Sequence, residues 1–153
     1  MKRYAKETRV SPDKSRAEIE RTLERYGADK FMYGWQGNSA VIMFEMRQRR
    51  VRFILPLPSK EQFSKEAREH VTGPKPNPQC AYEQATRQAW RSLALIVLAK
   101  LEAVASGIRT FEQEFMADTL LPNGTTVGEW IAPQIERVYE SGQMPPLLPM
   151  PKE

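Results

Sequence analysis

The chain has 153 residues, of which 41% are hydrophobic, 27% charged and 9% aromatic, a balance that supplies one ordinary core and excludes a wholly disordered chain. A single cysteine, Cys80, and a single histidine, His70, exclude an intramolecular disulfide and leave no tetrahedral zinc set without carboxylates. The net charge of +4 hides an uneven layout: residues 1–58 hold 13 Lys/Arg against 7 Asp/Glu, residues 59–110 hold 8 against 5, and residues 111–153 hold 2 against 7. A basic front and an acidic back suit attraction of a polyanion at one end, or head-to-tail contact between copies of the chain.

Ser11-Pro12-Asp13 predicts a helix start, with a serine cap and proline at the first helical position. Ile19, Leu23 and Tyr26 then recur at helical spacing until Gly27. From Phe31 the period changes to two. Phe31, Tyr33 and Trp35 alternate with Met32 and Gly34, and Gln36-Gly37-Asn38-Ser39 supplies a turn. Ile42, Phe44 and Met46 then share one face, with Val41, Met43, Glu45 and Arg47 on the other. A polar turn at Gln48-Arg49 leads to Val51, Phe53 and Leu55, which completes a three-stranded antiparallel meander.

Pro56 and Pro58 end the sheet, since neither donates to a ladder. Ser59 to His70 has weak helical character, and the prolines at 74, 76 and 78 predict an extended loop over 73–79. The main helix is expected over Ala81 to Ser106. Its apolar run from Leu93 to Ala99 requires cover on several sides. Thr110-Phe111-Glu112-Gln113 and Thr126-Val127-Gly128-Glu129 are two capping boxes opening two shorter helices. Pro133 is expected to kink the second and Gly142 to stop it. The tail carries prolines at 145, 146, 149 and 151 among leucines and methionines, and is expected to lie extended along an apolar groove.

The fold class is therefore α+β: helix, three-stranded antiparallel meander, long central helix, two shorter C-terminal helices and an extended Pro-rich tail. One domain over 1–153 is expected, with an αβββα core at 11–106, an acidic helical appendage at 110–142 and the tail at 143–153. Over 11–106 the order resembles the double-stranded-RNA-binding domain in topology. The insertion at 59–80 and the lack of a lysine cluster at the start of the main helix depart from that family, and none of its RNA-contacting residues is carried over. The run Leu93–Ala99 falls well short of the roughly 20 residues that span a bilayer, and Met1 to Val10 lacks the apolar stretch of a secretory signal. A soluble cytoplasmic protein without membrane contact is expected.

Tyr26-Gly27-Ala28, Tyr33-Gly34, Val51-Arg52-Phe53, Leu55-Pro56-Leu57-Pro58, Tyr82-Glu83-Gln84-Ala85, Trp90-Arg91, Thr126-Val127-Gly128-Glu129-Trp130 and Met144-Pro145-Pro146-Leu147-Leu148-Pro149 together resemble a family of uncharacterised bacteriophage and prophage proteins. That resemblance covers most of the chain. It implies a phage or mobile-element setting, hence the host-cell cytoplasm, and no assigned activity.

Arg47, Arg49, Arg50 and Arg52 form the densest basic cluster. If Tyr33 and Trp35 share the outer sheet face with Arg50 and Arg52, the arginines would pair with phosphates while the rings stack on unpaired bases. The competing reading is a solvated hairpin that protects a sheet edge, with the aromatics in the core. Arg87 and Arg91 on the main helix would extend the basic surface, or else pair with acidic groups of the C-terminal third. Glu112, Glu114 and Asp118 are the one carboxylate cluster, read as helix-start charges in preference to a cation or acid–base site. His70 is read as an exposed structural histidine and Cys80 as a small buried thiol. No catalytic residue, metal or cofactor is assigned. The expected function is binding of nucleic acid, preferably single-stranded, through the basic hairpin. The alternative is a protein-interaction module, an inhibitor or adaptor of a host protein, using the acidic C-terminal helices and the Pro-rich tail. A homo-oligomer is a further expected partner state.

Overall fold

The computed structural model describes residues 5–144. Helix α1, Pro12–Arg25, starts where the Ser11 hydroxyl accepts the Lys14 N–H at 3.3 Å. It buries Ser15, Ile19, Thr22 and Leu23. Three antiparallel strands follow in spatial order β1-β2-β3: β1 (Lys30–Gln36), β2 (Ser39–Met46) and β3 (Arg49–Pro56). Gly37, at φ +58°, is the first central residue of a two-residue turn, the position that demands a left-handed backbone.

The second hairpin turn differs from expectation by one residue. Met46 pairs with Arg49, so the turn is Arg47-Gln48, at φ +50° and +61°. Both turn residues take the left-handed conformation that matches strand twist, a place where Asn-Gly is usual.

Register fixes the faces. Phe31, Tyr33 and Trp35 oppose Phe44, Ile42 and Ala40, which oppose Val51, Phe53 and Leu55. That face is covered by α1 and by the long helix, and it holds the core. The outer face carries Lys30, Met32 and Gly34 beside Glu45, Met43 and Val41, then Arg50, Arg52 and Ile54.

Helix α2, Lys60–Glu69, buries nothing and packs against α3, Pro78–Ala105. The long helix begins three residues before the expected Ala81, because Asn77 caps it by accepting from Gln79 and Cys80 at 3.0 and 3.3 Å, with Pro78 in the first turn. Trp90, Leu93, Ala94, Val97 and Leu101 form its buried stripe. The expectation that the whole run Leu93–Ala99 is enclosed is corrected: Ile96 is 48% exposed, because α1 and the sheet cover only one side of α3.

Helix α4, Phe111–Phe115, and a 3-10 turn, Met116–Asp118, follow. Phe111 and Phe115 are both fully buried. Phe115 meets Phe44 at 5.7 Å and Phe53 at 6.4 Å between ring centroids. The start of the supposed appendage is thus part of the core. Thr119 then bridges Val51 of β3 and the Leu120 N–H donates to the Arg50 carbonyl at 2.8 Å, after which the chain turns back on itself through the Leu120–Thr126 bridge.

Helix α5, Val127–Ser141, opens with the Thr126–Glu129 capping box, continues through Pro133 and stops at Gly142, φ +66°. Among the described residues no helix is long and apolar enough to cross a membrane. The tail expected to lie in a groove falls outside the described residues beyond Met144.

Candidate functional site

The arginine-rich hairpin and the outer sheet face are the place to look for function, and the structure separates the residues that sequence grouped there. Arg49 and Arg50 are exposed at the hairpin tip. Arg50 stands opposite Glu45, whose carboxylate accepts from the Lys30 ammonium at 3.0 Å. Arg47 is turned towards the other side, its guanidinium 5.7 Å from the centre of the Phe111 ring.

Arg52 is not free for a phosphate. Its side chain is 17% exposed, and it donates twice to the Glu129 carboxylate at 2.8 and 2.7 Å and once to the Gly124 carbonyl at 3.1 Å. Both bonds to Glu129 come from the same guanidinium nitrogen, Nη2, and are short as charge-assisted bonds are. The Thr126 backbone N–H and the Arg52 guanidinium together hold the Glu129 carboxyl below the usual carboxylate range.

Tyr33 and Trp35 do not share the outer face with Arg50 and Arg52, which corrects the stacking expectation. Side chains alternate, so a residue's face is set by parity, and Arg52 lines up with Met43 and Met32. Tyr33 lies on the core face, 6.0 Å from the Trp90 ring and under the Arg16 guanidinium at 4.5 Å. Trp35, 66% exposed, sits at the end of that same face. What the outer face offers in their place is Met32, Val41, Met43 and Ile54 around the bare Gly34, where an added Cβ would meet nothing within 4 Å. A shallow groove of about 520 Å³ follows β1 there, with Arg52 at its side.

Arg87 and Arg91 do not extend the basic surface. Arg87 donates to the Gln84 side-chain oxygen at 3.1 and 2.7 Å, while Gln84 donates to the carbonyls of Lys6 and Thr8. Arg91 pairs with Glu18 of α1. The expectation of partners in the C-terminal third is therefore also corrected: Arg91 reaches α1, which packs along α3, and Arg87 bonds to Gln84 of its own helix. Of the eight candidates, the structure leaves Arg47, Arg49, Arg50 and Trp35 exposed, with Arg49 and Arg50 on opposite faces of the strand by parity, and half-buries the other four.

In the carboxylate cluster Glu112 points to solvent, and the other two meet cations within the chain. Glu114 pairs with Arg109 at 2.6 Å and Lys100 at 3.5 Å, and Asp118 lies 3.9 Å from Lys100. Burial pushes the Asp118 carboxyl up, partly opposed by Lys100. Among the described residues no three His, Cys, Asp or Glu side chains gather as a metal site. Cys80 is exposed, not buried, because the first turn of α3 projects beyond the sheet.

Helix α5, one of the acidic C-terminal helices of the alternative reading, stands out for its exposed apolar residues rather than its charge. None of its 15 residues is buried, yet Trp130, Ile131, Ile135, Val138 and Tyr139 fall on one half of the helix, with Trp130, Ile135 and Tyr139 exposed. Its packing is chiefly on the 3-10 turn, where Gly128 sits so close that a Cβ would come within 2.9 Å of the Ala117 carbonyl oxygen. The periodicity was visible in sequence; that among the described residues Trp130, Ile135 and Tyr139 stay exposed while Val127, Ile131 and Val138 are half-buried was not. No protein-family model, curated protein or solved structure matches the chain.

Proposed function

We propose that this chain is a protein-interaction module, an adaptor or inhibitor that docks on a host protein through α5. The observation that carries this reading is the amphipathic helix whose Trp130, Ile135 and Tyr139 stay exposed beside half-buried Ile131 and Val138, while its first turn is fastened to the body by Arg52, Thr126 and Gly128. Amphipathic helices bind by laying such a face into an apolar groove, with anchors at i, i+4 and i+7 spacing. Glu136 and Glu140 at the helix flank favour a groove with a basic rim. The phage or mobile-element setting rests on the family resemblance.

The test is co-purification from host cells with the wild-type chain and with Trp130→Glu/Ile135→Glu, followed by reconstitution from purified components. A partner bound directly by wild type and lost in a variant of unchanged circular dichroism supports the reading. Identical binding by both proteins, or no direct binding on reconstitution, overturns it.

Nucleic-acid binding is a second reading, favoured by the exposed Arg49 and Arg50. It is a phosphate contact without base stacking. Retention of a single-stranded oligonucleotide would then fall steeply with salt, fall further in Arg49→Glu/Arg50→Glu and be indifferent to Trp35→Ala. Retention unaffected by the charge reversal removes this reading.

A further inference from the structure

The sheet has two edges, and that of β1 is open along its whole length among the described residues. On β3 the Thr119–Val51 bridge and the Leu120 to Arg50 hydrogen bond cover the first residues of the strand, and the chain then turns back on itself through the Leu120–Thr126 bridge. Along β1 the two-residue turn after Gln36 makes Gln36 and Ser39 the first hydrogen-bonded pair, so Lys30, Met32, Gly34 and Gln36 bond to β2. Phe31, Tyr33 and Trp35 then direct their N–H and C=O groups away from the sheet. Among the described residues, no turn, loop or side chain hydrogen-bonds to those three.

This edge lacks the features that usually keep a strand from pairing. It has no proline, its register with β2 is unbroken over seven residues, and its one charge, Lys30, is held by Glu45. On the outer side the Gly34 hollow and Met32, 58% exposed, offer room and apolar contact to a neighbouring strand. On the inner side lies α1. Arg16, over the Tyr33 ring, is neutralised by Asp13 at 3.1 Å. On the same side of the helix Glu20 and Glu24 follow, while Lys14, Arg21 and Arg25 fall on the side away from Arg16 by helical spacing, and Asp29 leads into the strand. Glu20, Glu24 and Asp29 are exposed and outside any ion pair among the described residues.

We infer that β1 accepts an extended segment of another protein as a fourth strand, and that this segment alternates basic with apolar side chains. The main chain would supply pairing, the Gly34 hollow would take an apolar side chain, and the acidic flank of α1 would select Lys or Arg on the other face. A second copy of this chain suits the edge poorly, because a twofold axis at β1 brings the two acidic flanks together. The inference stands apart from the docking role of α5 and survives its failure.

Fluorescence anisotropy with three labelled octapeptides tests it: alternating Lys and Val, alternating Glu and Val, and the Lys/Val peptide N-methylated on alternate amides. The expected result is saturable binding of the Lys/Val peptide, at least tenfold weaker binding of the other two, and slowed exchange of the Phe31, Tyr33 and Trp35 amides in the complex. Glu20→Lys/Asp29→Lys, a surface change that leaves the fold intact, should cut Lys/Val affinity at least tenfold. Equal binding of the N-methylated peptide, absence of binding, or a concentration-dependent dimer that the peptide does not dissociate would each overturn the inference.

Discussion

Arg52, in the third strand, and Glu129, in the first turn of the last helix, are joined by two hydrogen bonds across 77 residues of sequence, with Glu129 also accepting the Thr126 N–H at 2.7 Å. One carboxylate thus caps α5 and ties it to the sheet. The acidic C-terminal third folds back on Arg52 of the chain's own basic front here, and on Lys100 and Arg109 of residues 59–110, so the charge asymmetry that suggested head-to-tail assembly is partly spent within one molecule.

The tie is pH-dependent. Because the Glu129 carboxyl is held below its ordinary value in the folded state, its contribution is fully present above the unfolded value of about 4.3 and is lost as pH falls through the folded one. Glu129→Gln keeps an acceptor for Thr126 and removes the charge. Thermal unfolding from pH 7 to pH 3 is expected to show wild type above the variant at neutral pH and the gap closing below pH 4. A gap constant with pH would contradict this role.

Gly128 fixes how closely α5 approaches the body. Gly128→Ala places a methyl against the backbone oxygen of Ala117 rather than a movable side chain, so α5 must lift. The expected result is faster tryptic cleavage at Arg137 and faster amide exchange in α5, with the sheet amides unchanged. If α5 is as protected in the variant as in wild type, the contact does not hold it.

The two sides of α3 should respond differently to truncation. Leu101, 1% exposed, is in the core and Ile96 is half in solvent. Urea titration is expected to give a loss of about 2–5 kcal/mol for Leu101→Ala and under ~1 kcal/mol for Ile96→Ala. A large loss at Ile96 would show that this side of α3 is covered in solution.

The hairpin turn is built from residues that resist its conformation. Gln48 adopts φ +61°, a region costing an ordinary L residue roughly 1–2 kcal/mol. Gln48→Gly relieves that cost at the expense of a more flexible unfolded chain, and the net expectation is a higher melting temperature by calorimetry. Arg47 is left in place for its contact with Phe111. A lower melting temperature would mean that the Gln48 side chain contributes more than its backbone loses.

Local chemistry made much of the fold legible. Ser11-Pro12, the two Thr-x-x-Glu/Gln boxes, Gly37 and Gly142 act within a turn or two of themselves, and the change of period at Phe31 follows from strand geometry, so elements and order could be read from residues alone. The start of α3 was equally local, in Asn77-Pro78, and was masked by the surrounding prolines. Even the separation of Tyr33 and Trp35 from Arg50 and Arg52 was present in the parity imposed by two-residue turns. Which face would be covered was not, because Ile42 and Phe44 on one side and Val41 and Met43 on the other are all apolar, and only the packing of α1, α3 and the two phenylalanines of α4 chose between them. The partners of Arg52 and Arg91 likewise depend on which helix comes to lie beside each one, since an ion pair acts over a few ångströms of space whatever the distance along the chain.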